Sequence, residues 1–201
     1  MLVKHNNNSI SDITSAGQLA QGKMTLISSQ TASGSASIEF TSGIDSTYPI
    51  YKFEFFDIHP SANAGVFKFN LSTDGGSNYN VTKTTTLFRV YHNESDSNSN
   101  LAYEPPDDLA QSTSFQRLSD TIGNDNDQSF VGSLTLFSPS STTFVKHFLS
   151  TTNTYQDSDY SISNFVAGYG NTTNAVDAIK FQMSTGNIDS GTIKLYGIGE
   201  W

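Results

Sequence analysis

From about residue 24 onward, large apolar residues alternate with polar ones at a spacing of two. In Ile50 to Ile58, Tyr51, Phe53 and Phe55 fall on one face, with Lys52, Glu54 and Phe56 on the other. Val66 to Leu71 repeats the pattern with Phe67, Phe69 and Leu71 inward. The intervening His59-Pro60-Ser61-Ala62-Asn63-Ala64-Gly65 has turn chemistry, so the pattern predicts a hairpin over these two strands. Further strands are predicted at Val81 to Tyr91, Val131 to Phe137, Thr143 to Ser150, Ser161 to Tyr169, Ala178 to Ser184 and Gly191 to Ile198. Gly191 reads as a turn into the last of these, and Gly197 as a bend or bulge within it.

The connections carry their own signals. Asn93 to Asn100 is almost devoid of apolar residues and reads as an exposed loop. Pro105-Pro106-Asp107-Asp108 reads as the opening of a short helix running to Ser119, because Leu109, Phe115 and Leu118 have near-helical spacing behind a capping Asp. About ten short strands with no long amphipathic helix between them imply one all-β domain. The expected architecture is an antiparallel two-sheet sandwich, arranged as a jelly roll, over residues 24–201. Residues 1–23 are polar, with Ile10, Ile13 and Leu19 thinly spread, and read as an extended N-terminal arm.

Composition narrows the partners. The 201 residues include 10 Lys and Arg against 19 Asp and Glu, a net charge of −9, which argues against nucleic acid as a partner. No apolar run approaches the roughly 20 residues that cross a membrane, and no signal-peptide core stands near the N-terminus. With zero Cys, disulfides, thiol catalysis and Cys-type zinc sites are excluded. The 14 Phe and 9 Tyr supply enough bulk for a real core despite the low charge content.

Candidate chemistry is sparse. His147 lies in Phe144-Val145-Lys146-His147-Phe148 without a second His at ligand spacing, and reads as a packed strand residue. Asn124-Asp125-Asn126-Asp127 groups oxygen ligands as calcium requires, but it lacks the turn Gly and closing Glu of the helix-loop-helix pattern. Local Asx turns account for Asn124, Asp125 and Asp127 equally well. No Gly-x-Ser-x-Gly elbow is present, so no catalytic, cofactor or metal residue is assigned and a non-enzymatic protein is expected. Tyr48, Tyr79, Tyr103, Tyr155, Tyr160 and Trp201 fall in predicted loops or at the chain end. Exposed Tyr beside Asn and Asp serves subunit interfaces or sugar stacking. For a glycan, the candidates are Tyr103, Tyr155, Asp157 and Tyr160.

Phe40 to Tyr48, Ser140 to Phe148 and Asn187 to Ile198, with Phe55-Phe56-Asp57-Ile58-His59-Pro60 and Ser72-Thr73-Asp74-Gly75-Gly76, carry a resemblance. Across about residues 25 to 198 the chain resembles virion structural proteins of marine tailed bacteriophages, of the tail-fibre-like or capsid-decoration kind. The resemblance implies a location on the virion and a homo-oligomer, with a trimer favoured. The arm at residues 1–23 departs from the shortest such sequences and is what a protein docking onto other capsid or tail proteins carries, and the resemblance brings no catalytic motif. The alternative is a carbohydrate-binding receptor-recognition module of a tail fibre, with a host-surface glycan as ligand.

Overall fold

The computed structural model describes residues 24–199, so the arm at residues 1–23 and Trp201 lie outside the described residues. The strands are β1 (Met24–Thr31), β2 (Ile38–Phe40), β3 (Ile50–Pro60), β4 (Phe67–Ser72), β5 (Lys83–Asn93) and β6 (Ser99–Tyr103). They continue as β7 (Gln116–Arg117), β8 (Phe130–Phe137), β9 (Lys146–Gln156), β10 (Tyr160–Gly170), β11 (Ala178–Met183) and β12 (Ile188–Ile198). Every pairing is antiparallel. An eight-stranded sheet has the order β1-β12-β3-β8-β9-β10-β5-β6, and a four-stranded sheet has the order β2-β11-β4-β7. The two form a sandwich, as the alternating pattern predicts.

The chain crosses between sheets at eight of its eleven strand-to-strand steps. The predicted hairpin over residues 50–71 is one casualty of this. β3 sits between β12 and β8 in the large sheet, whereas β4 sits between β11 and β7 in the small one. Alternation gives each strand an apolar face without saying which sheet it joins. In the folded chain those faces meet across the core: the rings of Phe55 and Phe67 lie 5.3 Å apart, edge to face. Phe67 also stacks on Phe181 of β11 at 5.6 Å. Phe40, Phe53, Phe55, Phe67, Phe69, Phe130 and Phe181 thus form one buried aromatic cluster between the layers.

The predicted helix over residues 105–119 is replaced by a single 3₁₀ turn, Pro105–Asp107, followed by an irregular segment. The reason is pairing. This segment completes the edge of β5, with Lys83 and Ser112 exchanging backbone hydrogen bonds and the Thr85 N–H donating to the Leu109 carbonyl. It then contributes β7 to the small sheet. These long-range bonds satisfy the backbone that a helix would have satisfied locally. The loop predicted at residues 93–100 is the exposed turn of a hairpin whose return strand, β6, went unread.

The two glycines of the last strand also do other work. Gly191 lies inside β12 at φ +112°, where a Cβ would come 2.7 Å from the Asp57 carbonyl of β3. It belongs to a bulge in the β12–β3 register rather than to a preceding turn. At Gly197 a Cβ would come 2.2 Å from the Tyr48 ring, so the residue is small because that ring lies on it.

Candidate functional site

Two surfaces of the large sheet stand out, one on each of its faces. Both belong to the part formed by β8, β9, β10, β5 and β6.

The inward face of this part changes character along a single strand. On β9 the inward residues are Lys146, Phe148, Ser150, Thr152 and Thr154. Phe148 reaches Phe69 of the small sheet, with ring centroids 5.1 Å apart. Farther along, the small sheet ends at its short edge strand β7, and the mostly irregular segment 105–128 that contains β7 takes over as cover. A coil brings unpaired backbone groups, so the strands beneath it present hydrogen-bonding side chains. Thr152 Oγ1 donates to the Leu118 carbonyl at 2.6 Å. Thr85 Oγ1 donates to Gln116 Oε1 at 2.6 Å and accepts from the Leu109 N–H at 2.7 Å.

Past the coil a cleft of about 190 Å³ remains open, lined by Arg89, Tyr91, Asn98, Asp120, Gln156 and Tyr160, with Ile162 as an apolar floor. Tyr91 and Tyr160 meet edge to face at 5.8 Å, and Asn98 Nδ2 donates to the Tyr160 hydroxyl at 3.1 Å. Arg89 forms ion pairs with Asp120 and, at 2.7 Å, with Glu104. Burial works against its charge, but these two carboxylates outweigh it and raise its pKa. Asp120 is shared with Arg117, whose Nη2 lies 3.5 Å from it. Beside the cleft, Asn164 of β10 is 1% exposed, and neither polar atom of its amide has a partner. It stands directly opposite Arg89 in the register, as Thr154, whose hydroxyl is also unpartnered, stands opposite Ile162. Leaving such groups unsatisfied costs about 1–3 kcal/mol each.

The outward face of the same strands is uncharged. Its residues are His147, Leu149, Thr151 and Asn153 of β9, Ser163, Phe165, Ala167 and Tyr169 of β10, and Thr84, Thr86, Phe88 and Val90 of β5, flanked by Leu101 and Tyr103 of β6. None is Lys, Arg, Asp or Glu. Phe88 and Phe165 are cross-strand partners stacked at 4.8 Å, yet Phe88 remains 45% exposed. Leu101 and Leu149 are 67% and 54% exposed. The small residues Ala167 and Gly168 leave a shallow groove of about 450 Å³, walled by Phe137, Leu149 and Tyr169.

The comparisons end here without a relative: the chain matches no family model, no curated protein and no solved structure.

The residues expected to contact a glycan are only partly brought together. Tyr160 lines the cleft. Tyr155 projects from the other face into a separate depression with His92, Glu94 and Asn153, to which Tyr160 also contributes. A hydrogen bond to Glu94 pushes the Tyr155 phenol up to about 12. Asp157 accepts from Thr121 Oγ1 at 2.8 Å, and Tyr103 donates to Asp108 at the far end of β6. Tyr103, Tyr155 and Tyr160 therefore sit on strands and not in loops. Tyr48 packs on Tyr51 at 5.9 Å, and the Tyr79 hydroxyl donates to Glu39 at 2.9 Å, so both brace the fold.

His147 is exposed on the outward face, edge-on to Tyr169 at 5.9 Å. The loop at Asn124–Asp127 closes on Gln128: the Gln128 N–H donates to the Asp125 carbonyl, and the Asp125 N–H to Gln128 Oε1 at 3.1 Å. Among the described residues, no group of three His, Asp or Glu is placed to hold a metal ion.

Sequence reading missed the two buried lysines. Lys83 of β5 and Lys146 of β9 both pair with Gly170 of β10, so they flank it on the inward face. Lys83 Nζ donates to Asn70 Oδ1 and, at 2.8 Å, to the Val81 carbonyl. Lys146 Nζ donates to the carbonyls of Phe144 and Thr172. Burial lowers both pKa values, that of Lys83 to about 7. Their inward positions in the period-two pattern were the available signal.

Proposed function

We propose that this chain is a non-enzymatic structural protein of a virion surface, a head decoration or a fibre component. It self-assembles through the outward face of β8, β9, β10, β5 and β6, and it docks onto its particle through residues 1–23. The observation that carries the reading is that uncharged face with its exposed Phe88, Leu101 and Leu149. In a chain of net charge −9, copies repel one another over most orientations, and a face free of carboxylates is where they can approach. Interface centres are depleted of charge and enriched in aromatics in the same way.

The strand order supports the reading. With the β5–β6 and β9–β10 hairpins set aside, the sheets become β1-β12-β3-β8 and β2-β11-β4-β7, with the chain alternating between them at every step but β4 to β7. We read this as a jelly roll, an architecture used by viral capsid and lectin domains, widened by two inserted hairpins. The uncharged face lies mainly on those inserts. Threefold assembly is what the resemblance to phage virion proteins implies.

Analytical ultracentrifugation at micromolar concentration tests the assembly. A trimer is expected for the native chain, and a monomer for Phe88→Asp combined with Leu149→Asp. A native monomer overturns self-assembly through this face. Antibody labelling of intact particles tests the location, and unlabelled particles overturn it.

A further inference from the structure

We infer that the cleft between Tyr91 and Tyr160 is a binding site for one neutral saccharide residue. The inference goes beyond assembly, because the cleft opens on the inward side of the strands whose outward side is the proposed interface. Occupied and assembled states are therefore compatible.

The chemistry of the cleft selects the ligand class. Tyr91, Tyr160 and Ile162 supply apolar surface, and the Tyr160 hydroxyl is oriented by Asn98. A sugar ring has apolar C–H faces and a rim of hydroxyls, which matches aromatic surface ringed by amides and a carboxylate. The charges argue for neutrality. Arg89 is already held by Asp120 and Glu104, so an anionic sugar has to compete with carboxylates for a guanidinium that is already paired. A hydroxyl, by contrast, can donate to Asp120 or accept from Arg89 without disturbing their pairing. Next to Arg89 on the same inward face, and just outside the lining of the cleft, the buried Asn164 amide lacks partners at both atoms, so the polar character of this end continues beyond the cleft wall. A hydroxyl seated at the Arg89 end meets Arg89 and Asp120.

Few groups line the cleft, so a single site binds weakly, with Kd of about 1 mM, and several copies on one particle raise the avidity. Saturation-transfer NMR on the full chain, with the methyl glycosides of glucose, galactose and mannose as probes, tests the site. At least one glycoside is expected to receive saturation. Tyr160→Leu and the exposed Asn98→Ala should each weaken its binding about tenfold or more. Tyr103→Ala, Tyr155→Ala and Phe88→Asp should leave it unchanged. The proposal is overturned if no glycoside receives saturation at tens of millimolar, well above that Kd. It is also overturned if N-acetylneuraminic acid alone binds, or if Tyr155→Ala abolishes binding while Tyr160→Leu and Asn98→Ala do not.

Discussion

The two halves of the eight-stranded sheet are built on the same alternation and yet hold together differently. In β12 and β3 the inward residues are Tyr51, Phe53, Phe55, Ile193 and Leu195, all buried against the small sheet. In β9, β10 and β5 the inward residues include Lys83, Thr85, Thr152, Thr154 and Asn164, equally buried but polar. The outward faces are reversed. Over β3 and β12 they carry Lys52, Glu54 and Lys194, with Lys52 and Glu54 paired at 3.0 Å and Lys194 4.9 Å from the Phe56 ring. Over β9, β10 and β5 they carry Leu149, Phe165, Phe88 and Val90. The difference teaches that what covers a strand decides its inward chemistry. A sheet face favours apolar side chains and a coil favours hydrogen-bonding ones, while Lys83, paired with Asn70 of β4, is a polar contact held between the two sheets.

The contrast breaks most visibly at the aromatic cluster. Phe181→Ala should cost about 3–5 kcal/mol in denaturant unfolding, because Phe181 touches Phe40, Phe53, Phe55, Phe67 and Phe69 and its cavity cannot close. A loss below about 1 kcal/mol would mean that the core repacks freely.

The buried lysine gives the polar half a pH signature. Lys83 has a folded pKa of about 7, below its unfolded value of 10.5, so the unfolded chain binds more protons between the two. Stability therefore rises with pH through that window, and the full penalty is present below pH 7. Relative to Lys83→Met, the native chain should gain roughly 2 kcal/mol between pH 7 and 9. Parallel stability curves for the two proteins would show that Lys83 keeps its charge in the fold.

A smaller effect separates coil cover from sheet cover. Thr85→Val removes the bonds to Gln116 and Leu109 while keeping the volume, and should cost about 1–2 kcal/mol by leaving Gln116 Oε1 buried without that donor. The same change at outward-facing Thr86 should stay within about 0.5 kcal/mol. Equal costs at the two positions would remove the distinction between the faces.

Phe88→Asp, with a modest expected effect on folding, is the sharpest test of the outward face. Monomer stability should fall by only about 1 kcal/mol through the lost stack on Phe165, while association is lost. A variant that still assembles would move the interface elsewhere.

Much of the sandwich was legible because a strand with one buried face writes that face into every second residue. Tyr51-Phe53-Phe55 and Phe67-Phe69-Leu71 were assigned inward from spacing alone, and they are buried. β6 was not legible: Ser99-Asn100-Leu101-Ala102-Tyr103 is an edge strand with little buried surface, so its pattern carries no hydrophobic contrast. The 105–119 segment was misread for the opposite reason. Leu109, Phe115 and Leu118 satisfy a helical spacing, while the bonds that shape the segment come from β5, far away in sequence. Of the cleft, Tyr160 was legible in the sequence. Tyr91, Asn98 and Arg89 were not, since nothing local links them.

By itself the sequence determined the all-β class, the strand faces and the acidic, cysteine-free character of the chain, because these follow from composition and from periodicity within single segments. Which sheet each strand joins, the placing of Tyr91 beside Tyr160 and the gathering of uncharged residues on one outward face were decided only by the tertiary structure. Pairing partners up to 174 residues apart, such as Met24 and Ile198, are selected by the packing of the whole core, and no local pattern encodes them.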